Sequence, residues 1–359
     1  MSIAEQPHTQ VEPAEVEAFA GRAIGDLAGA MATVLCAIGD RVGLFRALAA
    51  GPATAAELAT RAGADERYVL EWARGLAAAG YLEADRDSGR FALPPAHAAV
   101  LAEEGGVFFL GGGYEELAGM LQVLGRVAEA FRTGGGVPQA AYPDVAYEGM
   151  ARFTRSWFDH HLVDTWLPLV PGLEERLKAG VRWADVGCGA GRAVIRLARA
   201  FPRSEFVGFD YHEASIERAR EAAAEAGVAD RITFEVATAK GYPGSGYDFV
   251  CVFDCLHDMG DPVGASRHVF ETLAPGGTWM IVEPYASDRL EDNLNPVGRM
   301  FYAASTTICT PASLAQEVGL ALGAQAGEAR LTEVITAGGF THVRRATETP
   351  FNLILEARA

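Results

Sequence analysis

Apolar positions follow two different periods along this chain, and the change of period divides it. From Glu15 to Ala50, small apolar residues recur at helical spacing, and the pattern predicts a helical stretch interrupted at Gly39 and Gly43. Thr54 followed by Glu57 has capping-box spacing, so a helix is expected to start there. Asp65 is placed to cap a second helix that runs to Ala79 and stops at Gly80. Tyr81-Leu82-Glu83 and Arg90-Phe91-Ala92-Leu93 then flank a polar turn, Asp85 to Gly89, which signals a hairpin.

Beyond residue 180 short apolar runs alternate with helical ones. Val181 to Ala184, Phe206 to Phe209, Ile232 to Val236, Tyr247 to Phe253 and Thr278 to Glu283 read as strands. Helices are expected over Arg192–Ala200, Glu217–Ala226 and Leu331–Ala337, and two last strands around Thr341–Arg345 and Phe351–Glu356. Leu273-Ala274-Pro275-Gly276-Gly277 reads as a loop. The order predicts an α/β fold with a seven-stranded, Rossmann-like parallel-type sheet. The helix-helix-hairpin order before it predicts a smaller, mostly helical winged-helix domain. The expected boundaries are a disordered tail over 1–13, the winged-helix domain over 14–100, a helical connector over 101–179 and the sheet domain over 180–359. The last contains an insertion at 284–329.

The densest signal is Asp185-Val186-Gly187-Cys188-Gly189-Ala190-Gly191, between a strand and a helix, with Asp210 at the end of the next strand. Glycines there permit a sharp turn and close approach of the backbone to a ligand. An acid about 20 residues on can accept hydrogen bonds from two ribose hydroxyls. A dinucleotide fingerprint would need a glycine where Arg192 stands, and the two lysines, Lys178 and Lys240, leave the turn without the Lys of a phosphate loop. The D-x-G-C-G-x-G run with Asp210 resembles motif I of class I S-adenosylmethionine (SAM) methyltransferases. The resemblance extends through the L-x-P-G-G turn and Gly338-Gly339-Phe340 and covers about residues 180–359.

This resemblance implies SAM as cofactor and S-adenosyl-L-homocysteine as product. It implies a site of Asp185, Gly187, Cys188, Gly189, Gly191, Asp210 and Tyr211, gripping the ligand through main-chain amides and one carboxylate. Many relatives place an acid after the third strand for the adenine amino group; here Thr238 and Ala239 stand in that region, so Thr238 and a main-chain carbonyl would substitute. Asp254 would face the methionine end.

Cys255-Leu256-His257-Asp258 follows the fourth strand, at the edge where the sulfonium should point. A hydroxyl acceptor must lose a proton, and histidine has the best-matched ordinary pKa, about 6.5. The Leu-His-Asp step resembles that of plant-type O-methyltransferases, whose histidine there is the general base. Those enzymes also carry an N-terminal winged-helix dimerisation domain. The resemblance assigns Glu283 to orient His257 and puts a second carboxylate near Glu328; Met259 departs from the usual Trp. Packing is the competing role for His257. The substrate candidates are Phe158 and His161 in the connector and Tyr285 and Tyr302 in the insertion, which suit an aromatic or polyketide-like acceptor. A long segment at the carboxyl edge is a natural place for an acceptor pocket.

Charge and cysteine count narrow the alternatives. The formal net charge of −17 disfavours nucleic acid in the mean. From Cys36 to Val100, seven arginines face eight acids, so the winged helix is expected to dimerise rather than bind DNA. Five cysteines without a C-x-x-C pair read as reduced thiols of a cytoplasmic protein, and no metal site is expected. The longest uncharged run near the start, Leu27 to Gly39, spans 13 residues, so no membrane helix is expected. The reading is a homodimeric enzyme that methylates oxygen of a small, aromatic molecule. Methylation of nitrogen or carbon, a SAM-sensing winged-helix regulator and a SAM-binding protein without catalysis are the alternatives.

Overall fold

A computed structural model describes residues 11–359 in two compact units, Met1–Ala118 and Gly119–Ala359, the first from residue 11 onward. The tail expected over 1–13 lies largely outside the described residues. The first unit opens with helix α1 (Pro13–Val42), closed by Gly43 in the left-handed conformation at φ 80°. Gly39 does not interrupt α1, correcting the sequence expectation. Its missing side chain admits the Trp72 indole, whose ring lies 2.6 Å from where a Cβ would stand. The indole nitrogen also donates to the Leu35 carbonyl at 2.8 Å.

Helices α2 (Leu44–Ala49), α3 (Ala55–Ala62) and α4 (Glu66–Ala78) follow. The capping box at α3 is complete, with Thr54 and Glu57 each accepting from the other's backbone N–H. Such a cap contributes about 1 kcal/mol. Asp65 caps α4 through the Arg67 and Tyr68 amides. Strands β1 (Glu83–Ala84) and β2 (Phe91–Ala92) pair antiparallel and complete the wing. Phe45, Leu48, Leu58, Val69, Trp72, Leu76 and Phe91 form this unit's core. Helix α5 (Pro95–Leu101) and the start of α6 (Gly111–Met120) end it; Gly111 to Gly113 lie inside α6.

Among the described residues, α1 alone is long and apolar enough to cross a membrane by length and composition. Its longest uncharged run is nonetheless the 13 residues from Leu27 to Gly39, with Arg22 and Asp26 before it in the same helix. One face, with Ala32, Cys36 and Gly39, is buried. Leu27, Met31, Val34 and Ile38 are exposed; at 100° per residue they fall on the opposite face.

The second unit continues with α7 (Leu124–Thr133), α8 (Asp144–Trp157) and α9 (Leu173–Ala179). Between α8 and α9, Phe158–Trp166 is wound as a π-helix. Then come β3 (Arg182–Val186), α10 (Arg192–Ala200), β4 (Glu205–Asp210), α11 (Glu213–Glu225), β5 (Ile232–Val236) and β6 (Tyr247–Phe253). They are followed by α12 (Pro262–Thr272), β7 (Leu273–Pro284), α13 (Pro296–Ala304), α14 (Thr310–Leu314), α15 (Gly327–Ala337), β8 (His342–Glu348) and β9 (Asn352–Arg358). The sheet order is β5-β4-β3-β6-β7-β9-β8. The first five strands in this order are parallel, and β9 returns antiparallel to β7. Strand order reverses between β3 and β6, so the crevice at their carboxyl ends is the expected ligand site of an open α/β sheet.

Three further sequence expectations shift. Leu273–Gly277 belongs to β7 rather than to a loop, because Leu273 pairs with Tyr247 across a register irregularity. Helix α11 begins earlier than expected, at Glu213, just after β4. Helix α15 likewise begins early, at Gly327. The sheet is buried on both faces, by Trp183, Phe206, Phe249 and Met280 on one side and by Val250, Trp279, Ile281 and Leu355 on the other.

Candidate active site

The glycine turn after β3 is built without room for side chains. Gly187, Gly189 and Gly191 hold φ of 81°, 51° and 71°. A Cβ on Gly187 would meet Cys255 Sγ at 2.6 Å, and one on Gly191 would meet the Phe234 ring at 2.6 Å. The turn's amides are occupied within the fold. Gly187 and Cys188 donate to the Phe209 carbonyl at 2.7 and 2.9 Å, and Gly191 to the Cys188 carbonyl at 2.8 Å. Gly189 donates to Asp210 Oδ2 at 2.9 Å. These four amides are thus engaged within the fold. A loop with these four donors spent is a poor phosphate cradle, and it turns carboxylates toward the crevice instead.

Four acids stand there. Asp185 is 1% exposed. Among the described residues, neither of its oxygens has a hydrogen-bond partner. Burial pushes its carboxyl up to about 7. Asp210 is half-buried, its second oxygen takes the His212 amide at 2.9 Å, and burial raises its pKa as well. Asp254 follows β6 at φ 54°, a conformation rare for a residue with a side chain. Burial raises it to about 6. Asp258, half-buried, accepts from Gln139 Nε2 at 3.2 Å and is pushed by burial up to about 7. Such a set suits a ligand carrying positive charge, which the sulfonium of SAM does.

His257 lies on a single 3-10 turn, Leu256–Asp258, and is 5% exposed. Its Nδ1 meets Glu283 Oε2 at 2.5 Å. Glu283 Oε1 accepts from the amides of Leu256 at 2.8 Å and Cys255 at 3.2 Å, so one carboxylate both caps the turn and fixes the ring. Burial alone would lower the imidazole's pKa. The Glu283 charge and the contacts with Glu283 and Cys309 outweigh it and hold it well above the usual range. The sequence pairing of His257 with Glu283 is thus present as a contact. Glu328 is elsewhere: it pairs with Arg345. From the insertion, the Gly323 amide donates to the His257 carbonyl at 3.1 Å.

The remaining sequence candidates scatter. Tyr211 is 50% exposed beside Asp210. Thr238 is exposed and Ala239 half-buried in the turn after β5, where the Thr238 carbonyl accepts from Gly241. Phe158 packs edge-on against Phe253, the residue before Asp254, at 5.1 Å between ring centres. His161 stacks on the fully buried Trp166 at 6.2 Å, a packing position. Tyr285 is half-buried and Tyr302 exposed. Among the described residues, none of these last four hydrogen-bonds or stacks with His257.

Sequence reasoning missed Gln139 and Tyr147. The Tyr147 hydroxyl donates to the Gln139 carbonyl at 2.5 Å, and its ring stacks on His212 at 5.4 Å. They bring the connector over the acid cluster, yet nothing local in their sequence distinguishes them from surface helix residues. A cavity of about 400 Å³ at the amino ends of β3, β4 and β5, lined by Arg182, Glu205, Arg231 and Thr233, lies at the other rim of the sheet.

A methyltransferase-domain family model matches residues 177–338, and an Rv2258c-like winged HTH domain model matches residues 30–103. The chain is 31% identical over 262 residues to the 3-hydroxy-5-methyl-1-naphthoate 3-O-methyltransferase of Streptomyces sahachiroi, covering 71% of this chain and 73% of that one. It is 39% identical over 103 residues to the 27-O-demethylrifamycin SV methyltransferase of Amycolatopsis mediterranei. That match covers 28% of this chain and spans only 38% of the relative's length. The fold is also similar to human N-acetylserotonin methyltransferase in complex with SAM, with a TM-score of 0.70 over 98% of this chain and 99% of that one at 16% identity.

Proposed function

The chain belongs to the SAM-dependent methyltransferases that carry an N-terminal winged-helix domain, and from that premise we propose that it transfers the methyl group to a hydroxyl oxygen of a small aromatic acceptor, with His257 as general base. The contact that carries this reading is His257 Nδ1 to Glu283 Oε2, 2.5 Å. It leaves Nε2 as the ring atom able to take the acceptor's proton, and it keeps a carboxylate in place to stabilise the imidazolium that forms. The naphthoate relative supports an aromatic hydroxyl as the acceptor class.

SAM, when bound, supplies an electrophilic methyl group on a sulfonium. Asp210 would accept from its ribose, since each oxygen uses one lone pair on the Gly189 or His212 amide and keeps another. Gly187, Cys188, Gly189 and Gly191 would let the adenosyl group lie against bare backbone, with Tyr211 at its edge. Thr238 and the Ala239 backbone would meet the adenine. Asp185 and Asp254 would face the cationic end. Phe158, His161, Tyr285 and Tyr302 remain acceptor-side candidates, with Phe158 favoured by its contact with the residue before Asp254. Holding acceptor and methyl group in line accounts for much of the rate in such displacements.

The winged helix serves a homodimer on this reading. The exposed stripe of Leu27, Met31, Val34 and Ile38 has the alternating three- and four-residue spacing of a helix-to-helix seam.

Transfer of labelled methyl from SAM to a panel of hydroxynaphthoates and phenols tests the activity, with His257→Ala alongside. Turnover on an oxygen acceptor that the variant loses supports the reading; undiminished O-methylation by the variant removes His257 as base.

A further inference from the structure

The turn that carries His257 is held from two sides. Its amide side belongs to Glu283, which accepts from the Cys255, Leu256 and His257 amides at 3.2, 2.8 and 3.3 Å. Its carbonyl side belongs to the insertion. The His257 carbonyl accepts from the Gly323 amide, and the Gly260 carbonyl accepts from the Leu320 amide at 2.8 Å. Between them, the Asp258 carbonyl accepts from Gln316 Nε2 at 3.0 Å and the Met259 carbonyl from Ser313 Oγ at 2.8 Å. Four consecutive carbonyls, 257 to 260, are thus each taken by a donor of the insertion.

Gln316 is the exposed member of this set. Its amide nevertheless makes three hydrogen bonds. Oε1 accepts from the Gly260 amide at 2.9 Å, and Nε2 donates to the Asp258 carbonyl and to the Ala312 carbonyl at 3.1 Å. A side-chain amide offers a donor and an acceptor side by side, so it bridges a carbonyl and an N–H two residues apart much as a neighbouring strand would. The approach is close. A Cβ on Gly260 would stand 2.4 Å from Gln316 Cβ and 2.6 Å from the Glu317 carbonyl oxygen. Beyond Gln316 the backbone is strained, with Val318 and Ala321 at φ of 73° and 52°. That region is unfavourable for a residue with a side chain, most of all a β-branched one. The strained stretch returns the Leu320 amide to Gly260 and the Ala321 amide to Ser313 Oγ at 3.0 Å. Strain of this kind persists where the surrounding structure over-determines it.

We propose that Gln316 is a positioning residue for His257: it fixes the turn from the carbonyl side as Glu283 fixes it from the amide side, so the insertion sets where the base stands. This rests on His257 as the base of the proposed reaction. Glu283 holds the ring at Nδ1, but a ring moves with the backbone that carries it. A base has to stay within hydrogen-bond reach of the proton it takes, and a displacement of about 1 Å costs up to about 100-fold in rate. The bond from Gln316 to Asp258 is exposed, so water replaces it when the side chain is removed. The fold should therefore survive the loss while the turn gains freedom.

The test compares Gln316→Ala and Gln316→Glu in the full-length protein with Glu317→Ala, whose exposed carboxylate pairs with Lys240 instead. In Gln316→Ala, kcat should fall by about 10-fold or more while Tm, SAM affinity by calorimetry and KM for the acceptor stay within about twofold. Gln316→Glu keeps the acceptor for Gly260 and loses the donor to Asp258, so it should fall between; Glu317→Ala should match wild type. Without substrate, the NMR signals of the His257 ring, identified by their loss in His257→Ala, should shift or broaden in Gln316→Ala, and the Gly260 amide should exchange faster. Wild-type ring signals in Gln316→Ala overturn the proposal, as does an unreduced kcat. An equal loss in Glu317→Ala would overturn the assignment to Gln316. A wild type that transfers no methyl group would defeat the functional reading, while the ring signals alone would still decide the role of Gln316.

Discussion

Glu283 holds His257 by both ends of one carboxylate: Oε2 takes the ring at 2.5 Å while Oε1 takes the Leu256 amide at 2.8 Å. The ring and the turn that carries it are therefore fixed by the same group. Glu283→Gln keeps an acceptor for the amides but removes the charge that stabilises an imidazolium. The rate should fall by about 100-fold or more while SAM affinity, measured by calorimetry, stays within about twofold. The sign of the pH effect follows from His257 being held above its ordinary range. A base works when unprotonated, so wild-type activity should rise with pH through that raised value. In the variant the acidic limb should move to lower pH. A limb that stays in place would count against the pair acting as a unit.

Asp210 is the second lever. Its carboxylate closes the glycine turn through Gly189 and the start of α11 through His212. Asp210→Ala should weaken SAM binding by about 10- to 100-fold, whereas Asp210→Asn, which preserves one acceptor, should lose less. Equal and undiminished affinity in both variants would remove the ribose contact.

Much of this was legible before any coordinates. The strand, glycine turn, helix, strand, acid order depends on local chemistry, since only glycine fits where Cys255 and Phe234 crowd the turn. The capping box and Asp65 cap are likewise short-range. What escaped was long-range or compensated. Gly39 reads as a breaker, but its helix continues because Trp72, distant in sequence, fills the groove. Glu328 reads as a second carboxylate near the base, but it pairs with Arg345. Spacing in sequence carries no information on which distant cation claims an acid.

Buried carboxylates make a linked prediction about stability. Asp185 at about 7, Asp254 at about 6 and Asp258 at about 7 all lie above their ordinary values near 4. A carboxyl raised in the folded state binds more protons there than in the unfolded chain. The stability it contributes is therefore full below about pH 4 and is lost as pH climbs through 6 to 7. His257, also raised, adds in the same direction. The protein without SAM should lose thermal stability from pH 5 to 8. A cationic ligand offsets the ionised acids, so the rise in Tm that SAM produces should grow over that interval, and the neutral thioether product should give less of this growth. A ligand-induced shift independent of pH would show that the acids do not face the sulfonium.

Gly39 offers a test confined to the first unit. A Cβ there would stand 2.6 Å from the Trp72 ring, and that indole is anchored to the Leu35 carbonyl. Helix propensity alone favours alanine by about 1 kcal/mol. Overpacking a core opposes it by about 1–3 kcal/mol. The second effect should win, so Gly39→Ala should lower the unfolding midpoint and perturb tryptophan fluorescence. A stabilised variant would mean the indole swings aside freely.

The outer face of α1 decides how the winged helix is used. Leu27 and Met31 are 69% and 66% exposed, on a helix whose opposite face is buried in the first unit's core. Bare apolar area in a repeating stripe is costly in water, at about 25 cal/mol per Å². A bilayer span would have to accommodate Arg22 and Asp26 in the same helix, each at a cost of about 2.5–3.5 kcal/mol near the membrane centre. A second copy of α1, as proposed, would remove the stripe from water without taking those charges into a bilayer. Leu27→Lys with Met31→Glu should therefore convert a dimer of the wild type into a monomer in light scattering, without detergent. The same double variant should retain the fold of the second unit, read as unchanged SAM binding. A wild type that is monomeric at micromolar concentration, or one that partitions into vesicles, would assign the stripe to another surface.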